Sequence, residues 1–145
     1  MATDFKRYDM EGAGQINQRD NVKRVALGSD HGGFVSKEVL KRYLELEGFT
    51  VLDVGTYSTD SVDYPDFAVK VARSVASGDA DRGIMIDGAG IGSSMVCNKV
   101  PGIRAALAYD QKTIVNSREH NNANVLTLGG PLHSPDELCE LAVLW

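Results

Sequence analysis

Residues 83–97, Gly-Ile-Met-Ile-Asp-Gly-Ala-Gly-Ile-Gly-Ser-Ser-Met-Val-Cys, carry the densest chemistry in the chain. A short apolar run, Ile84 to Ile86, ends at an acid, Asp87. Gly88, Gly90 and Gly92 follow at alternate positions, then two hydroxyls, Ser93 and Ser94. The pattern predicts a strand, a glycine turn and a helix. A turn of this kind presents backbone N–H groups at a helix N-terminus, which suits an anionic ligand. Asp87 falls at the carboxyl end of the strand, where open α/β sheets bind ligands. An anion cradle and a proton acceptor would then lie side by side. The same carboxylate is also placed to cap the helix that follows.

The elements that must position this segment are read from periodicity. Val25–Leu27 is a short buried strand closed by Gly28-Ser29-Asp30-His31-Gly32-Gly33. Phe34, Val39, Leu40, Tyr43, Leu44 and Leu46 recur at helical spacing up to a stop at Gly48. Phe49–Val54 is a second strand. A second helix opens at Tyr64-Pro65-Asp66 and ends near Gly78. The third strand, Ile84–Ile86, feeds a helix running to about Lys99. Ile103–Ala108, a helix from Asp110 to about His120, and Val125–Leu128 follow. Ser134-Pro135-Asp136-Glu137 reads as a capped start to a final helix reaching Trp145. Strands alternating with helices of crossover length predict a parallel sheet covered on both faces. Residues 1–22 are polar and aperiodic and are expected to form a tail or arm outside a single domain, 23–145.

Parallel strands bring their carboxyl ends to one edge. Ser29-Asp30-His31, Thr56-Tyr57-Ser58, Asp63-Tyr64-Pro65, Asp87–Ser94, Tyr109-Asp110 and Gly129–His133 are expected to meet there. His120-Asn121-Asn122 precedes the fifth strand and falls at the opposite edge of the same subunit. It can reach the others only across a subunit interface or through an unusual loop, and a dimer with a shared site is the expectation.

Bulk composition narrows the function classes. The chain has 145 residues, 43% of them hydrophobic, with 20 acids against 15 bases and a formal net charge of −5. No basic concentration points to nucleic acid, and no apolar run approaches the about 20 residues of a membrane helix. No secretory leader pattern opens the sequence. Cys97 and Cys139 have neither redox nor zinc spacing and read as small buried residues of a protein in a reducing cytoplasm. A dinucleotide role is not expected, because no acid closes a suitable second strand after a G-x-G-x-x-G turn.

Six ordered blocks carry a resemblance. They are Gly28–Phe34, Asp53–Tyr57, Asp63–Pro65, Gly88–Gly92, Asn98–Arg104 and Arg118–Asn121. Together they resemble the ribose-5-phosphate isomerase B / galactose-6-phosphate isomerase family over residues 24 to about 130. The resemblance implies a Rossmann-like, flavodoxin-like three-layer α/β sandwich with a five-stranded parallel sheet. It implies dimers or tetramers with shared sites, and interconversion of aldose and ketose sugar phosphates without metal or organic cofactor. Asp30, His31 and Tyr64 would line the sugar site. His120 would open the sugar ring from the neighbouring subunit, with Asn121 beside it. The turn formed by Gly88, Ala89, Gly90 and Gly92, with Ser93, would hold the oxygens of a cis-enediolate, where developing charge favours preorganised donors.

The chain departs from the family pattern at several positions. Asp87 stands where ribose-type members usually carry a cysteine base, and Ala89 where they carry a hydroxyl. Ser93 stands where one branch uses a glutamate, and Pro131 where an arginine is frequent. Further phosphate-binding arginines that usually follow the last helix have no counterpart before Trp145. His133 reads as a solvated loop residue able to replace the lost arginine. An aspartate is ionised at neutral pH (ordinary pKa about 3.9), and carboxylates perform such proton transfers in other isomerases. Asp87 is therefore the expected base of an isomerase acting on ribose-5-phosphate or a related sugar phosphate. The A subunit of heteromeric galactose-6-phosphate isomerase has a similar Ile-Asp stretch and His-Asn-Asn run. The second expectation is accordingly a non-catalytic or partner-dependent subunit that works with a cysteine-bearing paralogue.

Overall fold

The computed structural model describes residues 21–145. The expected tail lies outside the described residues except for Asn21 and Val22. Five strands, β1 (Arg24–Ser29), β2 (Thr50–Gly55), β3 (Arg82–Asp87), β4 (Ala105–Leu107) and β5 (Val125–Gly129), form one parallel sheet in the order β2-β1-β3-β5-β4. Four helices cross between them, α1 (Phe34–Leu46), α2 (Tyr64–Ala76), α3 (Ile91–Cys97) and α4 (Gln111–Glu119), and α5 (Pro135–Leu144) follows β5.

The central strand explains the layering. Every residue of β3 is buried, as a parallel strand covered on both faces requires. Ile84 and Ile86 pack into one core with Leu40 and Leu44 of α1, Ile114 of α4 and Leu138 of α5. Met85 points the other way, into a core with Ala68, Val71 and Ala72 of α2 and Cys97 of α3. The expected three-layer α/β sandwich is therefore the fold. Gly28 and Gly83 let α2 sit close on the sheet. A Cβ at Gly28 would fall 2.7 Å from the Val71 side chain, and one at Gly83 2.6 Å from it.

Local chemistry sets the helix starts. Asp110 accepts from the Thr113 amide at 2.7 Å, and the Thr113 hydroxyl bonds back to the Asp110 end, a capping box. The Ser134 hydroxyl accepts from the Glu137 amide at 3.2 Å. Some boundaries differ from the sequence expectation. The helix expected to reach Lys99 stops at Cys97, and β4 shortens to three residues. The Asn98 side chain takes both backbone groups of Ala105, at 2.8 and 2.9 Å, and Asn124 accepts from the Arg104 amide at 2.8 Å. These amides replace ladder bonds at the sheet edge. The segments after β1 and β5, His31–Gly33 and Gly130–Leu132, are 3₁₀ turns.

Candidate active site

Asp87 is the last residue of β3 and is buried. Its Oδ1 accepts from the Gly90 amide at 2.5 Å. Its Oδ2 accepts from the Ser93 hydroxyl at 2.5 Å and from the Ser93 amide at 3.3 Å. The carboxylate thus ties the glycine turn to the first turn of α3 from beneath. Gly90 is the N-cap at φ +75°, a left-handed conformation that favours glycine. A Cβ there would also meet the Leu107 side chain at 2.6 Å.

The rest of the turn faces outward. Gly88 is exposed, and Ala89 and Gly92 are half-buried. Among the described residues, the amides of Gly88, Ala89, Ile91 and Gly92 have no acceptor. A set of free N–H groups at a helix start is suited to an oxyanion. Ser93, expected among the ligand contacts, is fully buried with its hydroxyl donated to Asp87.

The other residues of the carboxyl edge gather as the topology requires. Asp30 is buried at the end of β1, where its Oδ1 accepts from the Gly33 amide at 3.1 Å and its own amide donates to the Ile86 carbonyl at 3.2 Å. His31 is exposed, and its Nδ1 lies 3.2 Å from both backbone groups of Val62. That contact holds the loop after β2 against the turn after β1. The Thr56 amide reinforces it by donating to the Ser29 carbonyl at 2.9 Å. Tyr64 opens α2, and its ring lies so close to Gly92 that a Cβ there would collide with the hydroxyl. Asp30, His31, Tyr64 and the glycine turn therefore share one edge.

His120 and Asn121 do not join them. They sit at the end of α4, before β5, and are exposed. In the β3–β5 register, Asp87 lies level with Gly129 at the far end of that strand. Four strand steps separate the two ends, roughly 13 Å at 3.3 Å per residue. The turn is held firmly nonetheless. Arg104 Nε donates to the Asn121 carbonyl at 2.6 Å, Arg118 donates to the Ala123 carbonyl, and Asn122 adopts φ +45°.

One polar group at this edge was not anticipated. Lys37 of α1 is completely buried, and its ammonium lies 2.7 and 2.8 Å from the two oxygens of Asp53. It also lies over the rings of Phe34 and Tyr57 at 5.6 and 5.5 Å. Burial pushes the Asp53 carboxyl up, but the bonds from Lys37 and the Gly55 amide outweigh it and hold the group below the usual carboxylate range. Asp53 Oδ1 accepts from the Gly55 amide at 3.0 Å, and the Tyr57 hydroxyl donates to the Asp53 carbonyl at 3.1 Å. The pair thereby anchors the loop that reaches His31. Lys37 precedes Leu40 and Leu44 at core-facing helical spacing, a signal that would have placed it inside.

The surroundings of Asp87 are otherwise quiet. Burial, with the Asp87 charge second, pushes the Cys97 thiol up to about 12. His133 is not a solvated loop residue: its ring is largely buried, with Nδ1 3.4 Å from Glu137. No group of three or more metal-ligating side chains converges among the described residues. A cavity of about 460 Å³ lined by Val54, Lys70, Arg73, Ser74, Ser77 and Asp79 lies along α2 and contains none of the groups named above.

The fold and this edge define a class: a doubly wound α/β enzyme of a small anionic substrate. Its closer identity comes from sequence and structure comparison. The ribose/galactose isomerase family model matches residues 25–145. Ribose-5-phosphate isomerase B of Escherichia coli is 43% identical over 108 residues, covering 74% of this chain and 72% of its own. The structure of ribose-5-phosphate isomerase B from Clostridium thermocellum superposes with a TM-score of 0.82 at 46% identity, covering 84% of this chain and 82% of its own. The type B ribose 5-phosphate isomerase of Trypanosoma brucei superposes with a TM-score of 0.80 at 47% identity, covering 85% and 84%. The chain belongs to the ribose/galactose isomerase family and is an isomerase of sugar phosphates.

Proposed function

We propose that the chain interconverts the aldose and ketose forms of ribose-5-phosphate, or a close relative, through a cis-enediolate, with Asp87 as the base. The observation that carries this reading is the stacking of two functions in one turn. Amides of Gly88, Ala89 and Gly92 without an acceptor belong to the same turn whose Gly90 amide and Ser93 donors hold the Asp87 carboxylate. Asp87 removes the proton from the carbon beside the carbonyl and returns it to the former carbonyl carbon, while the hydroxyl proton passes from one oxygen of the enediolate to the other. The sugar is oxidised at one carbon and reduced at the next, with no net redox change. The amides hold the oxygens as they gain charge. Asp30, His31 and Tyr64 line the sugar. His120 and Asn121 enter from a second copy, His120 opening the ring, which makes the working unit a homodimer or tetramer. The reducing cytoplasm is the compartment, in keeping with two buried free thiols, Cys97 and Cys139.

Purified protein given pentose, tetrose and hexose phosphates is expected to turn over at least one of them, and Asp87→Asn to abolish turnover with the fold retained. Turnover that survives in Asp87→Asn removes Asp87 from the reaction.

A second reading rests on the same carboxylate. Asp87 takes three hydrogen bonds from its own turn, as a helix cap does, and Ala89 supplies no hydroxyl. The chain would then be one half of a two-subunit isomerase. Activity that appears only on co-expression with a cysteine-bearing paralogue supports this reading, and full activity of the chain alone rejects it.

A further inference from the structure

A thiolate base has one reactive atom, whereas a carboxylate has two, and donors that fill one oxygen leave the other to act. We infer that Ser93 is the positioning residue for Asp87: its hydroxyl occupies Oδ2 and leaves Oδ1 as the oxygen that receives the substrate proton. This rests on reading Asp87 as the base.

The donor count decides between the two oxygens. Each carboxylate oxygen offers about two lone-pair sites. Oδ2 accepts from both the hydroxyl and the amide of Ser93, at 2.5 and 3.3 Å, and is filled. Oδ1 accepts from the Gly90 amide alone, at 2.5 Å, and keeps one site. Ser93 has a single hydroxyl proton, and it is already given to Asp87. Its side chain is fully buried, so its effect on a ligand is exerted through Asp87.

Other groups near this end of β3 do not take that role. Asp30, at the turn after β1, is engaged by the Gly33 amide. His31 is engaged by Val62, and His133, after β5, by Glu137. Cys97 of α3 donates to the Ala68 carbonyl at 3.4 Å. On α2, Tyr64 lies against Gly92, while Asp66, Lys70 and Arg73 are exposed. Lys37 of α1 is bound to Asp53. Ser93 is the side-chain donor to Asp87 among the described residues.

Removing a donor to the charged form makes a carboxylate easier to protonate. In Ser93→Ala the acid limb of the kcat/KM profile is expected to move up by about one pH unit, a tenfold loss below the limb. KM should be nearly unchanged, because the amide cradle is untouched. Ser93→Thr, which keeps the hydroxyl, should return the limb towards its original position. Carbon-13 NMR titration of the aspartate carboxyls, with Asp87 assigned through Asp87→Asn, reads the same effect without turnover. A matching upward move of the Asp87 resonance and the activity limb supports the assignment. An Asp87 titration unchanged by Ser93→Ala overturns it. A carboxyl titration that moves while the activity limb stays fixed shows that Asp87 is not the base. In that outcome the base reading fails, and Ser93 is left as a brace of the turn.

Discussion

Asp87 combines two demands that a cysteine at its position would separate. It is the acceptor that closes the glycine turn, and it is the carboxylate held within the turn whose other amides are open. Its substitutions should therefore dissociate stability from activity. Asn keeps one acceptor oxygen and the shape of the side chain. Cys restores the group usual at this position in the family but strands the Gly90 amide and the Ser93 hydroxyl, each at about 1–3 kcal/mol when buried without a partner. Thermal denaturation should show Asp87→Cys clearly less stable than Asp87→Asn. The native cysteines give a second residue-scale expectation. Burial raises Cys97 to about 12 and Cys139 to about 11, and thiolate is the reactive form. Iodoacetamide at neutral pH should leave turnover intact, whereas a cysteine-dependent isomerase would be inactivated.

At the scale of elements, two contacts position the site from outside it. Gly83 lets α2 lie against β3, so Gly83→Ala should force α2 outward, together with Tyr64 at its start. The expected readout is a raised KM as well as a lowered melting temperature. The Lys37–Asp53 pair anchors the loop between β2 and α2. Breaking a buried pair on one side costs about 3–5 kcal/mol, and Glu38 and Lys41 flank this one. Asp53→Asn should therefore lose about 3 kcal/mol at neutral pH by chemical denaturation. The pH dependence follows from the sign of the shift. The Asp53 carboxyl is lowered in the folded chain, so its stabilisation is complete above the ordinary carboxylate value of about 3.9. It is lost as pH falls through the lower folded value. Asp53→Asn should lack that acid-side component of stability.

At the scale of the whole molecule, the two ends of β5 set the decisive geometry. His120 and Asn121 lie at one edge of the sheet and Asp87 at the other, so a single chain does not bring them together. If the site is shared between copies, two inactive variants should complement one another. Mixing Asp87→Asn with His120→Ala subunits gives mixed dimers in which one of the two sites is intact. Equal mixing and re-association should recover about a quarter of the wild-type rate. No recovery in mixtures shown by mass to contain mixed dimers would place both residues in a single chain's site, or His120 in none.

The amino-acid sequence by itself determined the alternation of strands and helices, the parallel sheet, and the edge at which Asp30, His31, Tyr64 and the glycine turn meet. Periodicity and turn residues act over a few positions, so a single chain displays them directly. The position of His120 at the wrong edge for a one-chain site was legible for the same reason. Only the tertiary structure decided what the side chains do once gathered. It turned the Ser93 hydroxyl inward to Asp87 rather than outward to a ligand, placed Lys37 against Asp53, and packed the His133 ring beside Glu137. Each of these is a choice among hydrogen-bond partners, and burial settles it: once water is excluded, a polar group must bond to whatever the fold brings within about 3 Å. Asp87 takes its three donors from positions three and six residues along the chain. They converge because Gly90 reverses the backbone between strand and helix.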